Sequence, residues 1–161
     1  RPSYTRTARN KTPRMYDDQS KMELKIGVGS VLEEGGDVAI IACGVMVEQA
    51  RNASSILAEE GIDCTVVDMH TIKPLDTKLL SKLAERCGCF VSAEDHSVIG
   101  GLGSAISEWL STNKLSPLEM VGVRDRFGGS GGSAALMEEL SLTSEAMSPA
   151  AKKSINRKTS T

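Results

Sequence analysis

Asp63-Cys64-Thr65-Val66-Val67-Asp68-Met69-His70-Thr71-Ile72-Lys73-Pro74-Leu75-Asp76 carries a strand, a turn and the start of a helix in one stretch. Its first half is a short β-branched apolar run, the pattern of a strand buried on both faces. Pro74 then breaks the pattern. It has no N–H and restrains Thr71 to Lys73 toward extended geometry. Asp76 stands where a helix N-cap belongs, just before Thr77-Lys78-Leu79-Leu80-Ser81-Lys82-Leu83-Ala84. A strand therefore ends, turns, and enters a helix that must return across the sheet. This is one βα step of an α/β fold.

The same step repeats on both sides. Upstream, Ile26 to Val31 reads as an edge strand ending at the turn Glu34-Gly35-Gly36-Asp37. Val38 to Cys43 is a core strand. Met46, Ala50, Ala53 and Leu57 follow at helical spacing, and Gly61 closes that helix. Downstream, Gly88 stops the second helix and Cys89 to Ala93 is the next strand. Gly100-Gly101-Leu102-Gly103-Ser104 opens a helix carrying Ile106, Trp109 and Leu110. Pro117 to Val123 is the last clear strand, and a Gly/Ser loop runs from Gly128 to Ser133. Ala134 to Leu140 reads as helical, and Thr143 caps a closing helix that reaches about Ile155, with a frayed end beyond it. The alternation predicts a three-layer α/β sandwich with a mostly parallel sheet of about five strands and helices on both faces.

The 161 residues suit a single domain preceded by a short arm. The arm, Arg1 to Lys25, is polar and holds Arg1, Arg6, Arg9, Lys11 and Arg14, which mark a linker with little core of its own. Aromatic residues make up only 3% of the chain, so the core is aliphatic and a stacking platform for single-stranded nucleic acid is disfavoured. A net charge of −2 also argues against a dedicated nucleic-acid binder. Cys43 and Cys64 fall inside core strands, and Cys87-Gly88-Cys89 lacks the spacing of a zinc or thioredoxin site. The four read as reduced structural cysteines of a cytoplasmic protein. No apolar run approaches the ~20 residues of a membrane span. The absence of an initial Met reads as a fragment or a processed product.

Open α/β sheets bind ligands at the carboxyl ends of their strands. The ionisable residues expected there are Asp68 and His70, then Glu94, Asp95 and His96, then Arg124, Asp125 and Arg126. A histidine beside carboxylates suits acid–base work. Yet the sequence shows no nucleophile elbow, no metal-ligand spacing and no P-loop. Structure and interface are the simpler reading for His70, Glu94, Asp95, His96, Arg124, Asp125 and Arg126, with no catalytic or metal-binding residue assigned. Asp125 between Arg124 and Arg126 reads as an ion-pair network. The glycines at 100–103 read as close helix–strand packing in preference to a phosphate site.

Three stretches resemble the C-terminal domain of transketolases. They are Val67 to Asp76, Ala93-Glu94-Asp95-His96-Ser97-Val98-Ile99-Gly100-Gly101-Leu102-Gly103-Ser104-Ala105, and Val121-Gly122-Val123-Arg124-Asp125-Arg126-Phe127-Gly128. They stand in the family's order and at about its spacing. One departure is Gly129, where the family commonly has Glu after the Phe-Gly pair. Ser3 to Lys11 is similar to the last strand of the preceding pyrimidine-binding domain and its exit. The resemblance implies that residues 1–25 are the tail of that domain and a linker, that 26–157 are the C-terminal domain, and that 158–161 fray. It implies that Arg9 binds the substrate's phosphate, a role suited to a planar, permanently charged fork. On the residues alone Arg9 is an exposed linker charge.

The resemblance further implies an intact enzyme that moves a two-carbon ketol unit between sugar phosphates in the pentose phosphate pathway. Thiamine diphosphate and a divalent metal would be bound mainly by domains absent from this chain. The expected partners are a sugar phosphate and either a second copy in a homodimer or a complementary transketolase subunit. Neither nucleic acid nor membrane is expected, and the fragment alone is expected to be inactive. Two alternatives stay open. One is a related enzyme, a deoxyxylulose-phosphate synthase or the β subunit of a 2-oxo acid dehydrogenase. The other is a free-standing module that binds a ligand or partner.

Overall fold

A computed structural model of the chain describes residues 2–8, 12–16 and 24–160. Ten elements follow in chain order. They are β1 (Ser30–Glu33), β2 (Val38–Ala42), α1 (Met46–Glu59), β3 (Cys64–Asp68), α2 (Thr77–Arg86), β4 (Phe90–Ser97), α3 (Leu102–Asn113), β5 (Leu118–Val123), α4 (Ser133–Glu139) and α5 (Ser144–Thr159).

The strands lie in the order β1-β3-β2-β4-β5. β1 runs antiparallel to β3, and the other pairs are parallel. β2 is the middle strand and is buried along its whole length. Its alternating side chains serve two cores. Val38, Ile40 and Ala42 face α1 and α5, packing with Met46, Leu57, Met147 and Ala151. Ala39 and Ile41 face α2 and α3, packing with Leu80, Leu83, Leu102 and Ile106. Two apolar faces on one strand explain why it reads as a continuous apolar run. The chain steps from β2 to one side for β3, then back past β2 for β4. The sheet's switch point, where a ligand crevice is expected, therefore lies between the carboxyl ends of β2 and β4.

The helix ends follow local chemistry. Asp76 caps α2, its Oδ1 accepting from the Leu79 N–H at 3.0 Å. Its Oδ2 accepts from the Gly29 N–H, also at 3.0 Å. That second bond accounts for a displaced edge strand. Sequence places the strand over Ile26 to Val31, whereas β1 spans Ser30–Glu33. Gly27 turns at φ +83 against Pro74, and Gly29 gives its donor to Asp76, so neither joins the ladder. A Cβ on Gly27 would stand 2.8 Å from the Pro74 ring.

The closing helix outlasts its expected end near Ile155. Arg157 reaches the Glu119 carboxylate at 2.8 Å and Lys158 donates to the Cys87 carbonyl at 2.7 Å. Within the same helix the buried Ser154 hydroxyl donates to the Phe90 carbonyl at 2.8 Å. These bonds hold the last turns of α5 against the sheet.

Candidate functional site: the carboxyl edge of the sheet

β2, β3 and β4 end side by side, presenting Cys43, then Asp68 with His70, then Glu94 with Asp95 and His96. The first question is what fills the switch point. Strand pleating places Phe90, Ser92 and Glu94 on the same face of β4. That face is covered by α3. Glu94 is only 1% exposed. Its two oxygens accept the free N–H groups of α3's first turn, Leu102 at 2.7 Å and Gly103 at 2.8 Å. Those N–H groups and the helix dipole would otherwise attract an external anion. Here the chain supplies the anion itself.

The glycines permit this. A Cβ on Gly101 would lie 1.9 Å from Glu94 Oε2, and one on Gly103 would lie 2.7 Å from Ser92 Oγ. The close-packing reading therefore holds at Gly101, against the Glu94 carboxylate, and at Gly103, against Ser92; Gly100 faces open space and turns at φ +75. A carboxylate at the end of a buried strand, eight residues before a Gly-Leu-Gly helix start, is the signal that would have found it.

His96 lies beside this site without entering it. Its Nδ1 is 4.0 Å from Glu94 Oε2 and donates to the Ser97 carbonyl at 2.9 Å. His70 is exposed on the turn after β3, with Nδ1 2.9 Å from the Thr71 hydroxyl. β2 separates the strands that carry the two histidines, so they stand on strands about 10 Å apart. They do not form a pair.

Cys43 is half-buried at the end of β2. Burial, and next the charge of Glu94, push its thiol up to about 11, against a smaller opposing effect of Arg6. A thiol held that high is protonated near neutral pH and is a poor nucleophile. Among the described residues no group of three His, Cys, Asp or Glu is placed to hold a metal ion. No helix of the described residues is long and apolar enough to cross a membrane.

Two described stretches of the amino-terminal arm touch the outer side of the edge. The Arg6 guanidinium donates to the Asp95 main-chain carbonyl at 2.7 Å. Tyr16 donates its hydroxyl to Asp68 Oδ2 at 2.6 Å, and Met15 packs against the α1-side core. Burial, then the bond to Asp68 and its charge, push the Tyr16 phenol up to about 12. Sequence composition marks this arm as a linker and carries no sign of either anchor. Each anchor partner lies more than fifty residues away in the chain. Arg9 lies outside the described residues.

The third group takes a different form from the expected network. Arg124 donates to the Met120 carbonyl of its own strand at 2.8 Å. Arg126 donates to the Glu139 carbonyl at 2.5 Å and lies 3.6 Å from that residue's carboxylate. Asp125 has φ 40 and pairs with neither arginine among the described residues. Phe127 just beyond is 98% exposed.

Comparison with known proteins places this geometry. The family model described as Transketolase, C-terminal domain, matches residues 27–147. The chain belongs to the transketolase C-terminal domain family. It is 43% identical over 157 residues to the 6-deoxy-6-sulfo-D-fructose transketolase subunit SqwH of Clostridium sp., covering 98% of this chain and 48% of that protein. It is 38% identical to a putative transketolase C-terminal section of Methanocaldococcus jannaschii, covering 91% of this chain and 46% of the relative. A 1-deoxy-D-xylulose-5-phosphate synthase of Geobacter sulfurreducens is 39% identical over 78% of this chain and 20% of its own length. Among solved structures, a split gene transketolase described as an inactive beta4 tetramer superposes with TM-score 0.85 at 41% identity, over 90% of this chain and 47% of that one. The chain thus spans about half the length of the first two curated relatives it matches. The five-stranded sheet, its single antiparallel edge and the helices on both faces are those of a transketolase C-terminal-type domain.

Proposed function

We propose that this chain is the C-terminal portion of a split transketolase-like enzyme, a transferase that moves a two-carbon ketol unit between sugar phosphates. Residues 26–157 form its C-terminal domain, and residues 1–25 are the tail and linker of a pyrimidine-binding domain. Residues 158–161 are its terminus. The enzyme works in the cytoplasm, within pentose phosphate metabolism. Its partner is a complementary transketolase subunit or a second copy of itself.

The observation that carries this reading is the occupied carboxyl edge. The anion position at the start of α3 is taken by Glu94, and the described residues hold no metal-ligating trio. The described residues therefore do not fit a diphosphate–metal site, and on this reading thiamine diphosphate with its divalent metal belongs to the rest of the enzyme. This domain supplies structure and contacts, with His70, Asp95, His96, Arg124, Asp125 and Arg126 available on its surface. Arg9 on the arm binds the substrate phosphate.

The reach of the relatives favours transketolase over synthase. The matches to the transketolase subunit and the transketolase C-terminal section cover 98% and 91% of this chain, against 78% for the synthase. The test is ketol transfer, measured with thiamine diphosphate and magnesium, by this chain alone and with its complementary chain. Activity is expected only from the pair, with a ketose phosphate donor and an aldose phosphate acceptor. Transfer by the fragment alone would overturn the reading. Activity of the pair confined to pyruvate as donor would replace it with the synthase.

A further inference from the structure

The two edges of the sheet are finished in different ways. β1 is four residues long, its register with β3 shifts between Val31 and Glu33, and Glu33 pairs with Arg51 at 2.9 Å. Short length, a bulge and a charge are common means of blunting an edge strand. β5, at the other edge, runs six residues, and its register with β4 is regular from Leu118 to Val121. A regular edge of that length is a template for an added strand.

Alternate residues of a strand turn their main-chain groups to the same side. The Pro117 carbonyl accepts from Phe90, where β4 begins, and the Val123 carbonyl accepts from Val98, just past its end. The odd-numbered residues of β5 therefore face β4, and Leu118, Met120 and Gly122 face outward. Two of these outward carbonyls are covered by guanidinium groups. Arg157 of α5 donates to the Leu118 carbonyl at 3.2 Å, and Arg124, just past the strand, donates back to the Met120 carbonyl at 2.8 Å. Arg157 Nη1 also donates to Glu119 Oε1 at 2.8 Å, and Lys153 holds Oε2 at 2.9 Å. The Glu119 carboxylate thus fixes the Arg157 side chain along the edge.

We propose that Arg124 and Arg157 close the β5 edge against a second copy of this chain. An added strand must bring its own N–H groups to the Leu118 and Met120 carbonyls. Those places already hold charge-assisted donors. A strand that displaced them would leave two guanidinium groups beside it without their acceptors. The excluded partner is the same edge of another copy. Two β5 strands related by a two-fold axis run antiparallel and present Leu118, Met120 and Gly122 to each other. The arginines therefore direct any assembly of this chain to other surfaces, and they act by refusing one partner.

The test compares the full-length protein with Arg124→Ala, Arg157→Ala, the double variant Arg124→Ala/Arg157→Ala and the conservative pair Arg124→Lys/Arg157→Lys. Glu119 keeps Lys153 when Arg157 is removed, so its carboxylate is not orphaned. Sedimentation over the micromolar range reads self-association, and amide exchange reads the edge itself. Each alanine variant should tighten self-association about three- to tenfold, and the double variant about ten- to a hundredfold. In the associated double variant the outward amides of Leu118, Met120 and Gly122 should exchange about tenfold more slowly than in the parent. The lysine pair should behave as the parent does, because lysine also blunts an edge.

A double variant that sediments like the parent, with its circular dichroism and unfolding midpoint retained, would overturn the proposal. Association in which the β5 amides exchange faster would overturn it too, since that is unfolding and not strand addition. Equal association of the lysine pair and the double alanine variant would show that charge at the edge is irrelevant, and the proposal would fall. Where the double variant loses its fold, the single variants decide by the same two readings.

Discussion

Replacing Glu94 by Gln tests the strongest claim about the carboxyl edge, that this residue is the anion of the α3 terminus. The change keeps the side chain's length and volume, and replaces one carboxylate oxygen by an amide NH2. One of the two backbone donors, Leu102 or Gly103, then faces another donor in a site that is 1% exposed. A hydrogen bond to a charged group contributes about 1.5–3 kcal/mol, and a buried donor left unpaired costs a further 1–3 kcal/mol. The lost charge at the helix start adds up to about 2 kcal/mol. These contributions overlap, because all act on the same two N–H groups. A net loss of about 2–4 kcal/mol is therefore expected. For a chain of this size that corresponds to a fall in Tm of roughly 5–15 °C.

The assay is urea unfolding followed by circular dichroism, with the slope checked so that a change in midpoint reports stability. Amide exchange gives the local reading, since Leu102 and Gly103 should lose protection first. Gly101→Ala attacks the same contact from the other side. Its Cβ would lie 1.9 Å from Glu94 Oε2, so the carboxylate must leave or the helix must shift. The two changes should be clearly less than additive when combined. A loss below about 0.5 kcal/mol for Glu94→Gln, the range of ordinary surface changes, would refute the assignment. Unchanged protection of both amides would refute it equally.

Two further outcomes are expected. Asp76→Ala removes a helix cap and the acceptor for Gly29, and should cost about 1–3 kcal/mol with faster amide exchange at Gly29 and Leu79; Asp76→Asn should recover part of it. Tyr16 should ionise in the folded protein near pH 12, read as the difference in tyrosinate absorbance between parent and Tyr16→Phe. Its folded pKa lies above the ordinary phenol value of 10.0, so the neutral phenol is the form the fold favours. Its contribution to stability is full below about pH 10 and is lost as the pH rises toward 12. An absorbance step at pH 10 would show that the bond to Asp68 does not persist in solution.

The fold was legible wherever local chemistry and burial agreed. Val38 to Ala42 and Cys64 to Asp68 are apolar because both sheet faces are covered, and Asp76 and Thr143 cap helices with their own side chains. What local patterns miss depends on distant partners. The start of β1 is set by Pro74 and Asp76, more than forty residues away from the glycines they constrain. The sequence puts Glu94 at the end of an apolar strand run, β4 continues past it to Ser97, and its role depends on which face of β4 meets α3. Arg124, Asp125 and Arg126 look like a charge cluster in sequence, but Arg124 bonds back to its own strand and Arg126 bonds to Glu139 in a following helix. The anchors of the arm leave no trace in composition, since a linker arginine and a linker tyrosine look alike whether bound or free.

The strand order has a consequence for synthesis. β2 is made second but sits in the middle, and it needs β3 on one side and β4 on the other. Phe90, where β4 begins, follows Ala42, where β2 ends, by 48 residues. At about 5–20 residues per second a ribosome takes roughly 2–10 s to cover that distance. For those seconds the most apolar strand of the nascent chain has at least one open edge, the state in which strands pair with the wrong neighbour. Crowding of several ribosomes on one message would bring identical open edges together. The yield of this chain should therefore respond to translation speed and to chaperone supply between residues 42 and 90 more than to changes elsewhere in the sequence.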